Sequence, residues 1–349
     1  MKIHELDLIA VEMPGSETLA PLRRVLIRLG TKSGAEGWGE TSLPWPPEEL
    51  PARRDALLTA LEGQAAWEVE ELHRNPALVG SPLRAGIEMA CWDLLGRAAG
   101  QPLCHLMGGC FRGRVPIAVG LEAKHPEQLA RKADEASQEG LLAVTLQLGG
   151  DADADLAAIR TAREAIGPRT ALRLDGGEHY DMETARDLCS ELEFESVSCL
   201  IDPLNTRQLH ALASLGRQTG VPMAACRIIN RPADALAAVR CGAAAILILD
   251  MENLGGLLPT RKALAIAEAA EVSVALAVGP SVGIATAAML QLAAASPPLD
   301  HPNQCSHPRL TENLLVEPLE AVDGMLEVPQ ATGLGVRIDR GRLERYVLA

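Results

Sequence analysis

Residues 142–175, LAVTLQLGGDADADLAAIRTAREAIGPRTALRLD, form one strand–helix–strand unit, and this unit decides the fold. Two short apolar runs, 142–148 and 170–175, flank a segment, 153–166, in which apolar residues recur at helical spacing. A short, nearly continuous apolar run is typical of a parallel strand that is covered on both faces. The stretch therefore predicts a β-α-β unit of a parallel sheet.

The same unit repeats along the middle of the chain. Further strands are predicted at 115–120, 197–202, 222–226, 245–250 and 273–278, with an eighth near 299–305. Amphipathic helices are predicted at 126–139, 181–193, 206–219, 232–241, 258–270 and 282–296. Units of similar length favour a closed (β/α) barrel over an open, doubly wound sheet.

The first hundred residues have a different pattern. Segments 23–29 and 35–40 read as two strands of a hairpin joined by a Gly-containing turn. The proline-rich segment 44–51 cannot lie inside a strand or a helix, and residues 82–99 have helical spacing. These features predict a small α+β domain.

Strand-like pieces return near the end of the chain, at 325–330 (MLEVPQ) and 334–339 (LGVRID). We expect this tail to fold back on the first domain. The predicted division is an α+β domain over 1–112, a (β/α) barrel over 113–317 and a returning segment over 318–349.

Composition excludes several classes of function. The 349-residue chain has 32 basic and 46 acidic residues, a net charge of −14, and only eight aromatic residues (Trp 4, Tyr 2, Phe 2). An acidic surface repels phosphate backbones, so nucleic acid is not an expected partner. No apolar stretch predicts a membrane span, and acidic residues such as Glu5 and Asp7 make the N-terminus unlike a signal peptide. Eight scattered cysteines without a paired motif favour reduced core residues and a cytoplasmic location.

Several motifs carry a family resemblance that spans nearly the whole chain. They are GAEGWGE (34–40), AGIEMACWDLLG (85–96), QPLCHLMGG (101–109), LGG (254–256) and GLGVRID (333–339). With them the chain resembles the enolase superfamily, in its muconate-lactonizing enzyme and mandelate racemase branch. The resemblance implies an N-terminal α+β capping domain over a modified TIM barrel, with the active site between them. It also implies a homo-oligomer.

The resemblance further implies a particular chemistry. Such enzymes use one Mg²⁺ to stabilise an enediolate formed by removal of a proton next to a carboxylate. Three carboxylates at the ends of barrel strands three, four and five hold the metal, and lysines at strands two and six transfer protons. Mg²⁺ requires hard oxygen ligands, and a lysine beside it acquires a lowered pKa.

Only one residue of that pattern is retained in this sequence. Placed on it, the strand-two lysines fall on Thr145 and Gln147, and the strand-six lysine falls on Asp250. The metal-ligand positions fall on Asp175, which is retained, and on Ile201 and Cys226. Thr145, Gln147 and Asp250 thus stand at the family's catalytic positions.

Asp202, next to Ile201, is a possible second metal ligand if it bends inward at the end of its strand. Asp175 is either a weak metal ligand or a carboxylate that caps the following loop. We expect no cofactor, or weakly bound Mg²⁺ at most, because one carboxylate and water hold Mg²⁺ poorly.

Candidate ligand contacts are Trp45, Cys226, Arg227, Glu252 and Ser281. Glu252 either forms an acid/base pair with Asp250 or is a solvated rim carboxylate. Cys226 is either an inert thiol or a thiolate whose pKa is lowered by Arg227. Trp45 in the proline-rich loop either covers the site or has a simple role in domain packing.

Arg227 has a further predicted role. It is the only cation newly placed at a strand end nearby, and its planar fork suits a carboxylate. We therefore predict that it pairs with Asp175, Asp202 or Asp250 and fills the emptied metal site.

Two functions remain open from the sequence. One is a divergent isomerase or lyase that acts on a small carboxylate with a rearranged catalytic set. The other is a catalytically silent relative that binds a small molecule or only assembles, because fold does not fix function.

Overall fold

The computed structural model describes residues 1–15, 20–123, 125–192, 195–299, 301–310 and 312–348. Its strands are β1 (Ile3–Met13), β2 (Leu22–Thr31), β3 (Glu36–Ser42), β4 (Arg114–Leu121), β5 (Ala143–Gln147), β6 (Ala171–Asp175), β7 (Val197–Ile201), β8 (Met223–Ala225), β9 (Ile246–Asp250), β10 (Ser273–Val278), β11 (Asn303–Cys305), β12 (Ala321–Val322) and β13 (Met325–Glu327).

Its helices are α1 (Leu50–Leu61), α2 (Val69–Leu72), α3 (Arg84–Ala99), α4 (Leu103–Leu106), α5 (Pro126–Gln138), α6 (Ala152–Ile166), α7 (Met182–Leu192), α8 (Leu209–Thr219), α9 (Pro232–Cys241), α10 (Met251–Leu254), α11 (Leu257–Ala269), α12 (Ile284–Ala294) and α13 (Arg340–Tyr346). Within the described ranges, no helix combines the length and apolarity that a bilayer crossing requires.

The N-terminal domain is an antiparallel meander, β1-β2-β3, with α3 packed across it. Glycine in β3 permits the close approach of α3. A Cβ atom on Gly39 would lie 1.8 Å from the carbonyl oxygen of Gly86 in α3. The alternating glycines of the 34–40 motif are therefore explained by packing of a helix onto a strand.

The barrel is closed and has eight parallel strands. They follow one another from β4 to β11, and β11 pairs in parallel with β4 through Asn303 and Gln304. Side chains alternate along each strand between the apolar core under the surrounding helices and a smaller core inside the barrel. On β9, Leu247 and Leu249 face the surrounding helices, whereas Ile246 and Ile248 belong to the apolar cluster inside the barrel. Asp250, two residues after Ile248, lies on the same inner face, at the mouth of the barrel.

Buried carboxylates of the capping domain hold the N-termini of barrel helices. Glu40 is fully buried and accepts hydrogen bonds from the backbone N–H groups of Val282 and Ala285, at the start of α12. Glu88 does the same at the start of α11, with Leu257 N at 2.7 Å. A carboxylate is favourable there because helix N-termini carry partial positive charge.

The contact of Glu88 with the start of α11 explains why the last residue of the 254–256 motif is glycine. Gly256 has a φ of 126°, and a Cβ atom there would lie 2.2 Å from a carboxylate oxygen of Glu88. Only glycine accommodates both the backbone conformation and the approach.

The C-terminal segment contacts both domains. β13 pairs antiparallel with β4, and the N–H of Leu348 donates to the carbonyl of Ala10 at 2.9 Å. The prediction of a strand at 334–339 is wrong. Gly333 and Gly335 have positive φ angles of 75° and 81°, which interrupt an extended run, and only Ile338 forms an isolated bridge, to Leu315.

Candidate functional site

A cavity of about 280 Å³ lies at the carboxyl ends of the barrel strands. Side chains from strand ends all around the barrel line it, among them Thr145, Asp175, Asp250 and Gln304. Two more open depressions, of about 490 and 510 Å³, run along the C-terminal segment and contain none of these side chains. In parallel barrels, functional groups lie at the carboxyl ends of strands, so the mouth cavity is the candidate site.

An ion cluster forms one wall of the cavity. Arg227, just after β8, donates from Nη1 to Oδ1 and from Nη2 to Oδ2 of Asp175, each at 2.8 Å. The same Nη1 lies 3.3 Å from Oδ2 of Asp202. The prediction that Arg227 pairs with a neighbouring carboxylate is thus confirmed for Asp175 and Asp202. Its hydrogen bonds to Asp175, which outweigh the effect of burial, raise the pKa of Arg227, so the guanidinium stays charged.

Asp202 turns into this cluster because of its backbone. Its φ of 41° lies in the left-handed region, which ends β7 and redirects the side chain. The carboxylate accepts the N–H groups of Cys226 at 3.0 Å and Arg227 at 2.7 Å. Burial raises the pKa of Asp202 despite these hydrogen bonds.

Asp250 ends β9 and caps the short helix α10. Its Oδ1 accepts the N–H groups of Glu252 at 2.8 Å and Asn253 at 3.0 Å. Its side chain lines the cavity. Burial, which disfavours the charged form, raises the pKa of Asp250 to about 6.

Glu252 faces the capping domain instead of the cavity. Its carboxylate accepts hydrogen bonds from Arg24 Nη2 at 2.9 Å and from Thr41 Oγ1 at 2.7 Å, and from both the backbone and the hydroxyl of Ser42. Burial alone would raise the pKa of Glu252, but the charge of Arg24 and these hydrogen bonds outweigh it and lower the pKa. The structure therefore does not bring Asp250 and Glu252 together as a carboxyl pair in the cavity.

Two other candidate contacts also lie outside the cavity lining. Ser281 is fully buried and donates to Glu40 at 2.9 Å, so it joins the barrel to the capping domain. Trp45 packs against the apolar core of the capping domain, with the guanidinium of Arg53 3.9 Å from its ring centre. This agrees with the packing alternative for Trp45.

The remaining candidates line the cavity. Thr145 donates to Oε1 of Gln304 at 2.8 Å, and Gln147 donates to the carbonyl of Asp175 at 3.3 Å. Burial and the nearby charges of Asp202 and Asp250 raise the pKa of Cys226, although Arg227 opposes them. The shift is opposite to thiolate activation, so Cys226 is a neutral thiol.

Sequence reasoning missed Glu122, Asn253 and Gln304, which also line the cavity. Gln304 lies on β11, a three-residue strand that is too short to show an alternating pattern. Asn253 lies one turn after Asp250, where its position depends on α10. Neither residue carries a sequence pattern that could have singled it out.

Comparisons with known proteins identify the family. A family model described as "Enolase C-terminal domain-like" matches residues 128–342, and the model of the "Mandelate racemase / muconate lactonizing enzyme, N-terminal domain" matches residues 12–108. The chain belongs to this branch of the enolase superfamily.

Individual relatives agree. Muconate cycloisomerase 1 of Rhodococcus opacus is 29% identical over 95% of this chain and 92% of the relative. Chloromuconate cycloisomerase of Cupriavidus pinatubonensis is 31% identical over 93% and 91%. The solved structure of muconate lactonizing enzyme from Pseudomonas fluorescens complexed with muconolactone has a TM-score of 0.92 at 25% identity, and the alignment covers 99% of both chains.

The family's Mg²⁺ does not fit the residues of this member. Both carboxylate oxygens of Asp175 accept hydrogen bonds from Arg227, whose guanidinium repels a cation. Ile201 offers no ligand atom, and Cys226 offers a protonated thiol in place of a hard oxygen. Nor do the described residues contain a cluster of three or more His, Cys, Asp or Glu side chains that could hold a metal.

Proposed function

We propose that this enolase-superfamily member binds a small polar molecule at the barrel mouth without Mg²⁺. On this proposal it has lost the metal-assisted proton abstraction that the family resemblance implies. The observation that carries the proposal is the guanidinium of Arg227 between Asp175 and Asp202. A fixed internal cation neutralises these carboxylates, so they are unavailable to a divalent ion.

The proton-transfer groups support the same proposal. No lysine lines the described part of the cavity, and the two strand-two positions are the uncharged Thr145 and Gln147. A hydroxyl or a carboxamide does not take a proton from a carbon acid at neutral pH. The walls nevertheless keep hydrogen-bonding groups, which orient a ligand without transferring its protons.

Hydrogen–deuterium exchange tests the proposal. The protein would be incubated in D₂O with Mg²⁺ and with muconate, sugar acids and dipeptides in turn, and the carbon-bound protons of each compound followed by NMR. We expect the same slow exchange with Mg²⁺ as with EDTA. Exchange or turnover that requires Mg²⁺ and is abolished by Asp175→Asn would overturn the proposal.

A second candidate function is supported by Asp250. Its carboxyl group has a pKa of about 6 and lines the cavity, which suits general acid or base catalysis near neutral pH without a metal. Exchange or turnover that persists in EDTA and is lost in Asp250→Asn would favour this metal-independent enzyme over a binding protein.

A further inference from the structure

The described lining of the mouth cavity carries more negative than positive charge. Glu122, Asp175 and Asp250 line it, and Arg227 is the only basic side chain among the described lining residues. Asp175 and Asp202 already neutralise that single cation. A dianion in this cavity would therefore meet a net negative wall, and like charges at short range are unfavourable.

Asp250 offers a vacant acceptor. Its Oδ1 accepts two backbone N–H groups, whereas Oδ2 accepts no hydrogen bond from any described residue. A charged N–H group forms the strongest hydrogen bond with a carboxylate oxygen that lacks a donor, because both partners are ionised. This side of the cavity is suited to an ammonium group.

Arg227 offers vacant donors next to it. A guanidinium has five N–H groups, and three of those of Arg227 point to Asp175 and Asp202, which leaves two without an acceptor among the described residues. The side chain is 31% exposed and lines the cavity. These two N–H groups suit an oxygen acceptor of a ligand.

We infer that the cavity binds a small zwitterion, whose carboxylate accepts from Arg227 and whose ammonium group donates to Asp250. Arg227 and Asp250 belong to the ends of neighbouring strands, β8 and β9, and apolar side chains such as Ile201, Ile248 and Ala277 line the cavity with them. An aliphatic chain between the two ligand charges would lie on this apolar surface. The inference rests on the proposed function, because a bound Mg²⁺ would reverse the charge of the site.

The size of the cavity limits the ligand. At about 280 Å³ it lies just below the range of about 300–1,000 Å³ that is typical of small-molecule sites. A chain of a few carbons between the two charges is therefore the appropriate probe.

Three probes of equal length test the inference. They are 5-aminopentanoate, which has one charge of each sign, pentanedioate, which has two negative charges, and 1,5-diaminopentane, which has two positive charges. Each would be added to the full chain at pH 8 with EDTA, at up to about 10 mM, and the shift in Tm and the heat of binding measured. We expect 5-aminopentanoate to bind at least tenfold more tightly than pentanedioate, and the diamine to bind between them.

Two variants locate the charges. Asp250→Asn keeps the shape and the capping acceptor but removes the negative charge, so we expect at least a tenfold loss for 5-aminopentanoate and no loss for pentanedioate. Asp187→Asn, on the exposed face of α7, is the matched control and should change neither.

The outcomes separate this inference from the proposed function. Three results would overturn the inference that the cavity binds a zwitterion. They are tighter binding of pentanedioate than of 5-aminopentanoate, binding of 5-aminopentanoate that Asp250→Asn leaves unchanged, and no binding of any probe. None of these results requires Mg²⁺. Mg²⁺-dependent exchange, in contrast, would overturn the proposed function itself.

Discussion

The guanidinium of Arg227 faces the carboxylate of Asp175 edge to edge, with two parallel hydrogen bonds of 2.8 Å. This geometry fixes both side chains, because a bidentate pair allows one relative orientation. By the family resemblance, Asp175 stands at the one metal-ligand position of the family pattern that the sequence keeps. The residue is retained, and its partner is a cation that the chain itself supplies.

Removal of Arg227 should destabilise the fold. Arg227→Ala would leave Asp175 and Asp202 as neighbouring carboxylates without their cation, and both side chains are largely buried, at 16% and 5% exposure. An exposed ion pair contributes below about 1 kcal/mol, and breaking a buried pair costs about 3–5 kcal/mol. Arg227 itself is 31% exposed, so its cluster lies between these cases. We therefore expect a loss of about 2 kcal/mol in the free energy of unfolding, measured with urea.

Arg207→Ala is the matched control. Arg207 also makes two hydrogen bonds to a carboxylate, that of Glu178, but its side chain is 60% exposed. We expect a change within about 0.5 kcal/mol, because solvent screens an exposed pair. Equal losses in both variants would contradict a structural role for the Arg227 cluster.

Asp250→Asn should stabilise the protein at high pH. Burial raises the pKa of Asp250 to about 6 from its ordinary value, so ionisation above pH 6 costs the folded state free energy that the unfolded state does not lose. The stabilising contribution of the protonated group is complete below about pH 4 and is lost as the pH rises through 6.

Asparagine avoids this cost and still caps α10, since it accepts the same N–H groups. We expect the variant to exceed the parent by about 2 kcal/mol at pH 8, with the difference shrinking as the pH falls from 7 to 4. Urea unfolding of both proteins across that range measures the difference. A difference that is constant with pH would be incompatible with the raised pKa.

Much of the barrel was predictable because its strands are short apolar runs. The predicted strand 170–175 and the observed β6, Ala171–Asp175, agree within one residue. Side chains alternate between the two faces of such a strand, so the ends of the predicted strands also place Asp175 and Asp250 at the mouth of the barrel. The segment 334–339 was mispredicted because two glycines in the left-handed region interrupt a run that is otherwise strand-like in composition.

The partners of the site residues were harder to predict. Glu252 faces the capping domain because Arg24, 228 positions earlier, binds it, and no local pattern records so distant a contact. Ser281 is likewise held by Glu40, 241 positions away. The pairing of Arg227 with Asp175 was predictable because the predicted barrel places both residues at the same end of its parallel strands, and a planar guanidinium suits a carboxylate.

Glu40→Gln should weaken the contact between the capping domain and the barrel. The carboxylate of Glu40 accepts hydrogen bonds from Ser281, Val282 and Ala285 and pairs with Arg24. An amide has one acceptor oxygen, so its NH₂ group would face donors in a buried site. We expect a loss of about 3 kcal/mol in the free energy of unfolding.

Glu36→Gln, on the same strand, provides the comparison. Glu36 pairs with Arg340 at the surface, with its side chain 31% exposed, so we expect a loss below about 1 kcal/mol. If both glutamine variants unfolded at the same urea concentration, the buried carboxylate would have no special role in holding the domains together.

Restoring oxygen ligands should restore Mg²⁺ binding. The triple variant Ile201→Glu, Cys226→Asp and Arg227→Ala would place two new carboxylates beside Asp175 and remove the guanidinium that occupies it. Mg²⁺ binds hard oxygen ligands, and three neighbouring carboxylates are strongly repulsive without a cation. We expect the variant to be less stable than the parent in EDTA and to gain several degrees in Tm at about 10 mM Mg²⁺.

The parent should show no such gain, because its Asp175 is already paired. Arg227→Ala alone is the control, since it removes the guanidinium without adding ligands. A parent whose Tm rises with Mg²⁺ as much as that of the triple variant would show that the internal ion pair does not displace the metal.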